Sequence, residues 1–257
     1  MYTSKTFRVR DSRDVIAEIE QCRTIAPHVK KVFLADGNAM ALPADKLLPI
    51  LEAINNVFPR LQRISAYALP SDFLRKTERE LNALKEAGLT LLYVGIESGD
   101  DDVLRMINKS ETYQSTMDGL NKANEIGFDL SVMILNGIGG KILSRQHAEN
   151  SALLINQIKP KFLSTLVLSY PFGLQHFKKR LNNEFTPLTA RELIEEMSVF
   201  IGHLELENCI FRSDHVSNFL SLKGILNKDK LKILENIRFV LANPQIDKLN
   251  AIYSGSM

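Results

Sequence analysis

Segments of strand length alternate with segments of helix length along almost the whole chain, and this alternation constrains the fold most. Apolar runs that predict strands are separated by stretches in which apolar residues recur at helical spacing. The predicted strands are residues 32–35, 64–68, 91–97, 130–135, 162–168 and 209–212. The predicted helices are residues 12–24, 44–56, 71–87, 112–126, 144–158, 190–206 and 228–242. Strands that alternate with helices form a parallel sheet with helices outside it, so we expect an α/β barrel or an open doubly wound sheet.

Small and polar residues follow several of the predicted strands at their carboxyl ends. These segments are Asp36-Gly37-Asn38-Ala39, Leu69-Pro70-Ser71, Glu97-Ser98-Gly99, Asn136-Gly137-Ile138-Gly139-Gly140 and Ser213-Asp214-His215. The carboxyl ends of barrel strands meet on one rim, where binding and catalytic residues collect. Glycines let backbone N–H and C=O groups approach a ligand closely. The pattern therefore favours a barrel whose rim accepts a flat ligand of nucleoside size.

The charge, hydropathy and cysteine content of the chain give no indication of several classes of partner. The 257 residues carry a net charge of +2 without a Lys/Arg-rich run, so nothing indicates nucleic acid as a partner. An apolar run of about 18 residues, which a membrane span needs, is absent from the sequence, so we expect no membrane partner. Two isolated cysteines fit a reducing compartment, and we expect a cytoplasmic protein. We expect one domain over residues 1–257, with residues 207–257 as its C-terminal extension.

The segment Gly95-Ile96-Glu97-Ser98-Gly99, at the end of an apolar strand, resembles the fourth barrel strand of the radical S-adenosylmethionine enzymes, in particular the coproporphyrinogen-oxidase- and MiaB-like branch. The resemblance implies a partial TIM-like (β/α)6 barrel with parallel strands. It implies S-adenosylmethionine and a [4Fe-4S] cluster as cofactors and reductive cleavage to a 5'-deoxyadenosyl radical. It also implies a reductant such as flavodoxin or ferredoxin, and a small-molecule substrate that the sequence does not identify.

The resemblance carries site roles over to particular residues. Asp36, Gly37 and Asn38 stand where the family binds the amino group of the methionine moiety. Glu97 and Ser98 stand where it contacts the ribose or methionine part, and Lys109 where a basic residue meets the cofactor carboxylate. The remaining cofactor-binding positions lie in two later turns, one of which passes the adenine; they are Asn136, Gly137, Ile138, Gly139 and Tyr170.

Residues 211–218, at the end of the last predicted strand and directly after it, are the candidate substrate site. Arg212, His215 and Asn218 lie in it and would face the same mouth as Glu97. They could hold an anionic or polar substrate. The alternative is that they tie the C-terminal segment to the barrel by hydrogen bonds.

The family's cluster motif, CxxxCxxC, does not occur in this chain. The two cysteines, Cys22 and Cys209, are far apart in sequence and are both predicted to lie in the core. The five histidines show no metal-ligand spacing, so we expect no metal site in this chain. The resemblance places the cluster loop and the first strand before Met1, which implies a truncated chain that is inert in this chemistry. The strand at residues 32–35 would then have an unpaired edge and could pair with a second copy.

Two other classes of function stay open. The chain could be a non-catalytic descendant of the fold that binds a nucleoside or a protein. It could also be a TIM-barrel lyase or aldolase that uses Lys109 or Lys141 as a Schiff base. Against the second class, the chain has fewer than eight strand–helix units and neither lysine lies in a predicted strand.

Overall fold

The computed structural model describes residues 8–181 and 184–248. Its seven strands follow one another in the sheet in sequence order. They are β1 (Lys31–Leu34), β2 (Arg63–Tyr67), β3 (Leu89–Glu97), β4 (Asp129–Asn136), β5 (Phe162–Val167), β6 (Cys209–Ser213) and β7 (Leu222–Leu226). Strand β2 is parallel to β1 and β3, β5 is parallel to β4 and β6, and β7 is antiparallel to β6. The fold is α/β with an unclosed, mostly parallel sheet, as the sequence predicts.

Ten helices connect or flank these strands in the described residues. They are α1 (Ser12–Ile25), α2 (Ala44–Val57), α3 (Pro70–Leu74), α4 (Glu78–Glu86), α5 (Asp101–Met106), α6 (Tyr113–Ile126), α7 (Gly140–Ile158), α8 (Leu174–Arg180), α9 (Ala190–His203) and α10 (Lys230–Leu241). In this part of the chain, none of them is long and apolar enough to cross a membrane.

The chain divides into two compact units. Unit 1 comprises Met1–Val94 and Asp118–Leu130, and unit 2 comprises Gly95–Met117 and Ser131–Met257. The chain thus passes from one unit to the other three times, within β3, within α6 and within β4. The prediction of one domain over residues 1–257 stays a prediction.

Unit 1 has its core on one face of its strands. Ile64 and Ala66 of β2 are fully buried, as are Leu51 of α2 and Leu84 of α4. Successive side chains of a strand point to opposite faces, so the other face of β1 and β2 carries Phe33 and the remaining alternate residues. Phe33 is exposed on that face.

Unit 2 repeats this arrangement with two long helices. Val132 and Ile134 of β4 and Leu163 of β5 are buried on the face of the sheet that also carries Phe211 of β6. Helices α7 and α9 contact each other closely, and each contributes buried apolar side chains. The turns that follow β4 and β5 therefore start from strands whose side chains are buried in this core.

The structure corrects two predictions about single elements and confirms a third. The helix predicted over residues 71–87 is two helices, α3 and α4, because Thr77 and Glu80 form a capping box that begins a new helix. Cys22 is exposed rather than part of the core, since α1 contains no buried residue. Cys209 is buried as predicted.

Strand β7 and the short helices α5 and α8 were not predicted. Each is five to seven residues long, too short for periodicity to distinguish it from a loop. Among the strands of the described residues, β1 lies at one end of the strand order. Its pairing with a second copy stays a prediction.

Candidate functional site

The turn after β1 in unit 1 is tied to the start of α3. Asp36 begins the turn in the left-handed backbone region, with φ of 60°. The Asn38 side-chain amide donates a hydrogen bond of 2.6 Å to Oδ2 of Asp72. The same carboxylate oxygen accepts a 2.8 Å hydrogen bond from the backbone N–H of Leu69. Of the predicted residues Asp36, Gly37 and Asn38, Asn38 is therefore held by Asp72, which is 1% exposed.

Two acceptor oxygens in this turn have no hydrogen-bond donor in the described part of the chain. They are Oδ1 of Asn38 and Oδ1 of Asp72, and both are buried. The Arg75 guanidinium is 3.9 Å from the Asp72 oxygen, outside hydrogen-bond distance. Buried acceptors without a donor are rare and destabilising. A ligand that carries an ammonium group would supply the donors that these oxygens lack.

Strand β3 ends in unit 2 with Glu97 in a left-handed conformation. Its φ is 66°, which is unfavourable for a residue with a side chain. The carboxylate is 3.3 Å from Nζ of Lys109. The Lys109 ammonium also donates a 2.9 Å hydrogen bond to the backbone carbonyl of Gly95. The predicted pair Glu97 and Lys109 thus lies together, and both side chains are partly accessible.

Ser98 is fully buried beneath this strand end. Its hydroxyl is 2.7 Å from Nδ1 of His147 and accepts a 3.0 Å hydrogen bond from the backbone N–H of Asp100. Gly99 is so close to α7 that an added Cβ would lie 2.6 Å from the backbone oxygen of Asn150. The segment after β3 is therefore packed onto α7, with Ser98 facing the helix.

The glycine turn after β4 is held by Glu196 of α9. The backbone N–H of Gly137 donates a 2.6 Å hydrogen bond to Oε1 of Glu196, and the Ser144 hydroxyl donates a 2.6 Å hydrogen bond to Oε2. His147 Nε2 is 4.0 Å from Oε1 of Glu196. Ser98, Gly137, Ser144, His147 and Glu196 form one network, which we call the buried network. It joins the turns after β3 and β4.

Burial shifts both titratable groups of the buried network toward their neutral forms. Burial lowers the pKa of His147 to about 4, although the Asp100 charge and a hydrogen bond to the Leu135 backbone oppose that shift. Burial raises the pKa of Glu196 to about 7, although the hydrogen bonds from Ser144 and Gly137 oppose that shift. At about pH 5.5 both groups are uncharged, so the pair stabilises the turns without a buried ion.

Asn136 and Asn218 lie together at a small cavity in unit 2. The Asn218 side-chain amide donates hydrogen bonds to the Thr165 carbonyl at 2.9 Å and to the Ser213 hydroxyl at 3.1 Å. Its Oδ1 is buried and lacks a donor in the described residues. The cavity, lined by both asparagines and Met197, has a volume of about 20 Å³, enough for one water molecule.

The other predicted residues of unit 2 lie apart from this cavity. Arg212 is exposed and alternates with buried neighbours along β6. His215 is exposed, and its Nδ1 is 2.9 Å from the Ser217 hydroxyl. That hydroxyl also accepts a 3.3 Å hydrogen bond from the backbone N–H of Val167, so the segment after β6 is fixed to β5.

Tyr170 packs into an aromatic cluster in unit 2. Its ring centroid is 5.3 Å from that of Phe177 and 6.4 Å from that of Phe185. Burial raises the pKa of Tyr170 to about 12, so its hydroxyl keeps its proton at neutral pH. Ile138 and Gly139 are buried in the turn after β4.

Sequence reasoning did not find Asp72, His147 or Glu196. Each lies within a helix, and no spacing along the chain relates it to its partner, which is 34 to 59 residues away. The one available signal is their residue type. A His and a Glu at apolar-phase positions of α7 and α9 must be buried and therefore need polar partners.

The two cysteines do not fit a [4Fe-4S] cluster. Such a cluster in this family takes three thiolates, and the chain has two cysteines in total. Cys22 is on the exposed surface of α1 in unit 1. Cys209 is buried in unit 2, where burial raises the pKa of its thiol to about 12 and disfavours the thiolate. No group of three or more His, Cys, Asp or Glu residues that could hold a metal ion occurs in the described ranges.

The comparisons with known proteins agree with this fold. The family model described as the radical SAM superfamily matches residues 2–152. The heme chaperone HemW of Bacillus subtilis is 28% identical over 145 residues, which cover 54% of this chain and 38% of HemW. Coproporphyrinogen III oxidase from Escherichia coli, a radical SAM enzyme, has a TM-score of 0.59 at 16% identity over 77% of this chain and 48% of that one. The Elp3 of Methanocaldococcus infernus with an N-terminal deletion has a TM-score of 0.55 at 15% identity over 88% of this chain and 58% of that one.

The matched part of this chain therefore spans about two-fifths of the length of HemW. The likeness to the two structures concerns the fold alone.

Proposed function

Because this chain belongs to the radical SAM superfamily, we propose that it forms the S-adenosylmethionine-binding body of a radical SAM enzyme. The observation that carries the proposal is the turn after β1. There Asn38 and Asp72 each keep a buried oxygen without a donor in the described residues, which suits the ammonium group of a bound amino acid moiety. Within this superfamily, bound S-adenosylmethionine supplies hydrogen-atom abstraction.

The proposed roles of the chain's own residues follow from their chemistry. Asn38 and Asp72 accept hydrogen bonds from the ammonium group, and Asp36 and Gly37 shape the turn that holds them. In unit 2, Glu97 accepts a hydrogen bond from a ribose hydroxyl, since its carboxylate is partly accessible. Lys109 sets the direction of that carboxylate and neutralises a cofactor carboxylate.

Most of the remaining proposed residues shape or support the turns that bind the cofactor. Gly137, Ile138 and Gly139 present the turn along which the adenine lies, and the buried network fixes that turn by way of Ser98 and Glu196. Tyr170 and Asn136 support the turns on either side. Arg212, His215 and Asn218 remain the proposed contacts for an anionic or polar substrate.

We assign no cluster-dependent step to this chain, because its two cysteines do not fit a [4Fe-4S] cluster. The proposed activity of the chain by itself is therefore cofactor binding without cleavage. Lys109 and Lys141 are both paired, to Glu97 at 3.3 Å and to Glu192 at 2.7 Å. Both side-chain nitrogens are therefore already engaged by a carboxylate, which does not favour a Schiff-base role for either lysine.

Isothermal titration calorimetry with S-adenosylmethionine tests the proposal. We expect one binding site on the full chain and a loss of affinity of about tenfold in Asn38→Ala, the equivalent of one charge-assisted hydrogen bond. Asn236→Ala is the matched control, because Asn236 is an exposed asparagine of α10. Equal affinity of the two variants would remove Asn38 from the site, and absence of binding to the parent chain would refute the proposal.

A second candidate is a non-catalytic descendant of the fold that binds a nucleoside or a protein partner. The cysteine count favours it. The two candidates differ in how they use the ammonium site at Asn38. A nucleoside-binding descendant would bind adenosine as tightly as S-adenosylmethionine, whereas the cofactor-binding body would bind adenosine at least tenfold more weakly.

A further inference from the structure

Lys76 is a buried lysine that forms no ion pair in residues 8–181 and 184–248. It lies between α3 and α4 in unit 1 and is 7% exposed. In the same residues, its ammonium group has one hydrogen-bond acceptor, the backbone carbonyl of Met40 at 2.5 Å. Lysine is almost never fully buried unless it is paired, because an ammonium group loses favourable hydration when it leaves water. The contact with Met40 is therefore the feature of the structure that accounts for this buried charge.

That contact restrains the turn after β1. Met40 is fully buried and is the middle residue of a single turn of 3-10 helix, Ala39–Ala41, which directly follows Asn38. The backbone N–H of Ala41 donates a 3.1 Å hydrogen bond to the Asn38 carbonyl. A group that holds the Met40 carbonyl thus also restrains the backbone of Asn38.

The turn is held at two points by residues that are four positions apart. The Asn38 side-chain amide donates a 2.6 Å hydrogen bond to Asp72, and the Lys76 ammonium donates to Met40. The backbone carbonyl of Lys76 in turn accepts a 2.6 Å hydrogen bond from the ammonium group of Lys122 in α6. All five residues belong to unit 1. The segment between α3 and α4 therefore links the turn after β1 to α6.

Lys76 lies near Asp72 without occupying its free oxygen. Burial lowers the pKa of Lys76, although the Asp72 and Glu80 carboxylates oppose that shift. The ammonium nevertheless donates to the Met40 carbonyl, and Oδ1 of Asp72 has no hydrogen-bond donor in the described residues. A lysine that paired with Asp72 would compete with a ligand for that oxygen.

We propose that Lys76 is a positioning residue of the ammonium site. By holding the Met40 carbonyl, it keeps the turn in the conformation in which Asn38 and Asp72 each present an oxygen without a donor. Lys76 acts through the turn and does not contact the cofactor. If the turn is released, only the fraction of chains in the competent conformation binds the cofactor, so the apparent affinity falls by that fraction. The inference names a residue of the proposed cofactor site and so rests on the proposed function.

Hydrogen exchange without any ligand tests whether Lys76 holds the turn. The backbone N–H groups of Ala41 and Leu42 donate hydrogen bonds of 3.1 Å within the turn, to the carbonyls of Asn38 and Ala39. We expect Lys76→Met to speed the exchange of these two amides by about fivefold or more, because local opening exposes them to solvent. Unchanged exchange in Lys76→Met would overturn the inference.

Lys85→Met is the matched control. The Lys85 ammonium is also partly buried and donates to a backbone carbonyl of unit 1, that of Ile126 at 2.7 Å, but this carbonyl lies at the end of α6 and not in the turn after β1. We expect Lys85→Met to leave the exchange of Ala41 and Leu42 unchanged. Urea denaturation reports the stability of both variants, and equally fast exchange of these amides in both would overturn the inference.

Calorimetry with two ligands tests the effect on the ammonium site. S-adenosylmethionine carries the ammonium group, and 5'-methylthioadenosine keeps the adenosine and the sulfur atom but lacks the amino acid moiety. We expect Lys76→Met to weaken S-adenosylmethionine by about fivefold or more and to leave 5'-methylthioadenosine within about twofold. A general loss of stability would weaken both ligands alike, and that result would overturn the inference.

Lys76→Arg keeps the positive charge and the N–H donors. We expect this variant to bind S-adenosylmethionine within about twofold of the parent, and it keeps the inference testable if Lys76→Met does not fold. An affinity as low in Lys76→Arg as in Lys76→Met would overturn the inference.

The parent chain and Asn38→Ala separate this inference from the proposed function. If the parent binds S-adenosylmethionine and Asn38→Ala weakens it while Lys76→Met does not, the inference fails and the proposed function stands. A parent chain that does not bind S-adenosylmethionine would refute the proposed function and, with it, the cofactor role of Lys76.

Discussion

Gly99 shows how closely the segment after β3 is packed. An added Cβ would lie 2.6 Å from the backbone oxygen of Asn150 and 2.7 Å from Cα of Ser151, and neither backbone atom can move without displacing α7. We expect Gly99→Ala to lower the free energy of unfolding by about 2 kcal/mol or more, as overpacking does. Gly202→Ala is the control, because nothing lies within 4 Å of a Cβ at that position. Urea denaturation of both variants checks this, and equal stability would contradict the close approach.

Glu97 combines an unfavourable backbone conformation with a partly accessible carboxylate. A left-handed φ costs a residue with an ordinary side chain about 1 kcal/mol, and asparagine adopts it more readily. We expect Glu97→Asn to leave the free energy of unfolding within about 1 kcal/mol of the parent while the affinity for S-adenosylmethionine falls at least fivefold.

The control for this substitution is Lys159→Asn. Lys159 is also left-handed, with φ of 51°, and ends α7 on the exposed surface. Thermal denaturation and calorimetry are run on both variants. Unchanged cofactor affinity in Glu97→Asn would remove Glu97 from the site, and a strong loss of stability in that variant would contradict the strain argument.

At the scale of elements, the buried network connects α7 and α9 to the turns after β3 and β4. Its two titratable groups respond to pH in opposite directions. From about pH 4 to 6.5, the unfolded chain binds a proton at His147 that the folded chain does not, so this group makes stability rise with pH. From about pH 4.5 to 7, the folded chain keeps a proton on Glu196 that the unfolded chain releases, so this group makes stability fall with pH.

Single substitutions are expected to separate the pH dependence of stability that His147 causes from the one that Glu196 causes. Glu196→Gln leaves His147, so the variant should lose stability as the pH falls from 7 to 4, by up to about 3 kcal/mol. His147→Gln leaves Glu196, so that variant should lose stability as the pH rises over the same range. The parent chain should show a flatter profile than either. Urea denaturation at several pH values measures this, and slopes of the same sign in the two variants would contradict it.

The elements with clear periodicity were predictable from the sequence, and the short or interrupted ones were not. Helix α6 was predicted within one residue of its start, because its apolar positions repeat over 14 residues. The break between α3 and α4 depends on the capping box at Thr77 and on the Lys76 ammonium, which donates a 2.5 Å hydrogen bond to the Met40 carbonyl. The capping box is a local signal that was present in the sequence. The hydrogen bond from Lys76 to Met40 joins residues 36 positions apart, and the periodicity of apolar residues does not reveal such a contact.

At the scale of the whole molecule, the parallel α/β architecture followed from the alternation of strands and helices, whereas the partners of the site residues did not. The resemblance assigned Ser98 a cofactor contact, which stays a prediction, and it gave no indication that the Ser98 hydroxyl faces His147 within unit 2. The contacts between the rings of Phe33, Tyr67 and Tyr93 depend on the register of three strands, which fixes which alternate residues share a face. Packing between distant segments sets the register. The pattern of apolar residues in the sequence therefore limits the possible registers but does not select one of them.

The most direct test of the central claim is calorimetric titration of the full chain with S-adenosylmethionine after anaerobic incubation with iron and sulfide, with iron content and 5'-deoxyadenosine measured on the same sample. We predict one bound S-adenosylmethionine per chain, no release of 5'-deoxyadenosine, and no protein-bound iron near four per chain. A chain that does not bind S-adenosylmethionine would contradict the account. A chain that assembles four irons and releases 5'-deoxyadenosine would contradict the conclusion that its two cysteines do not fit the cluster.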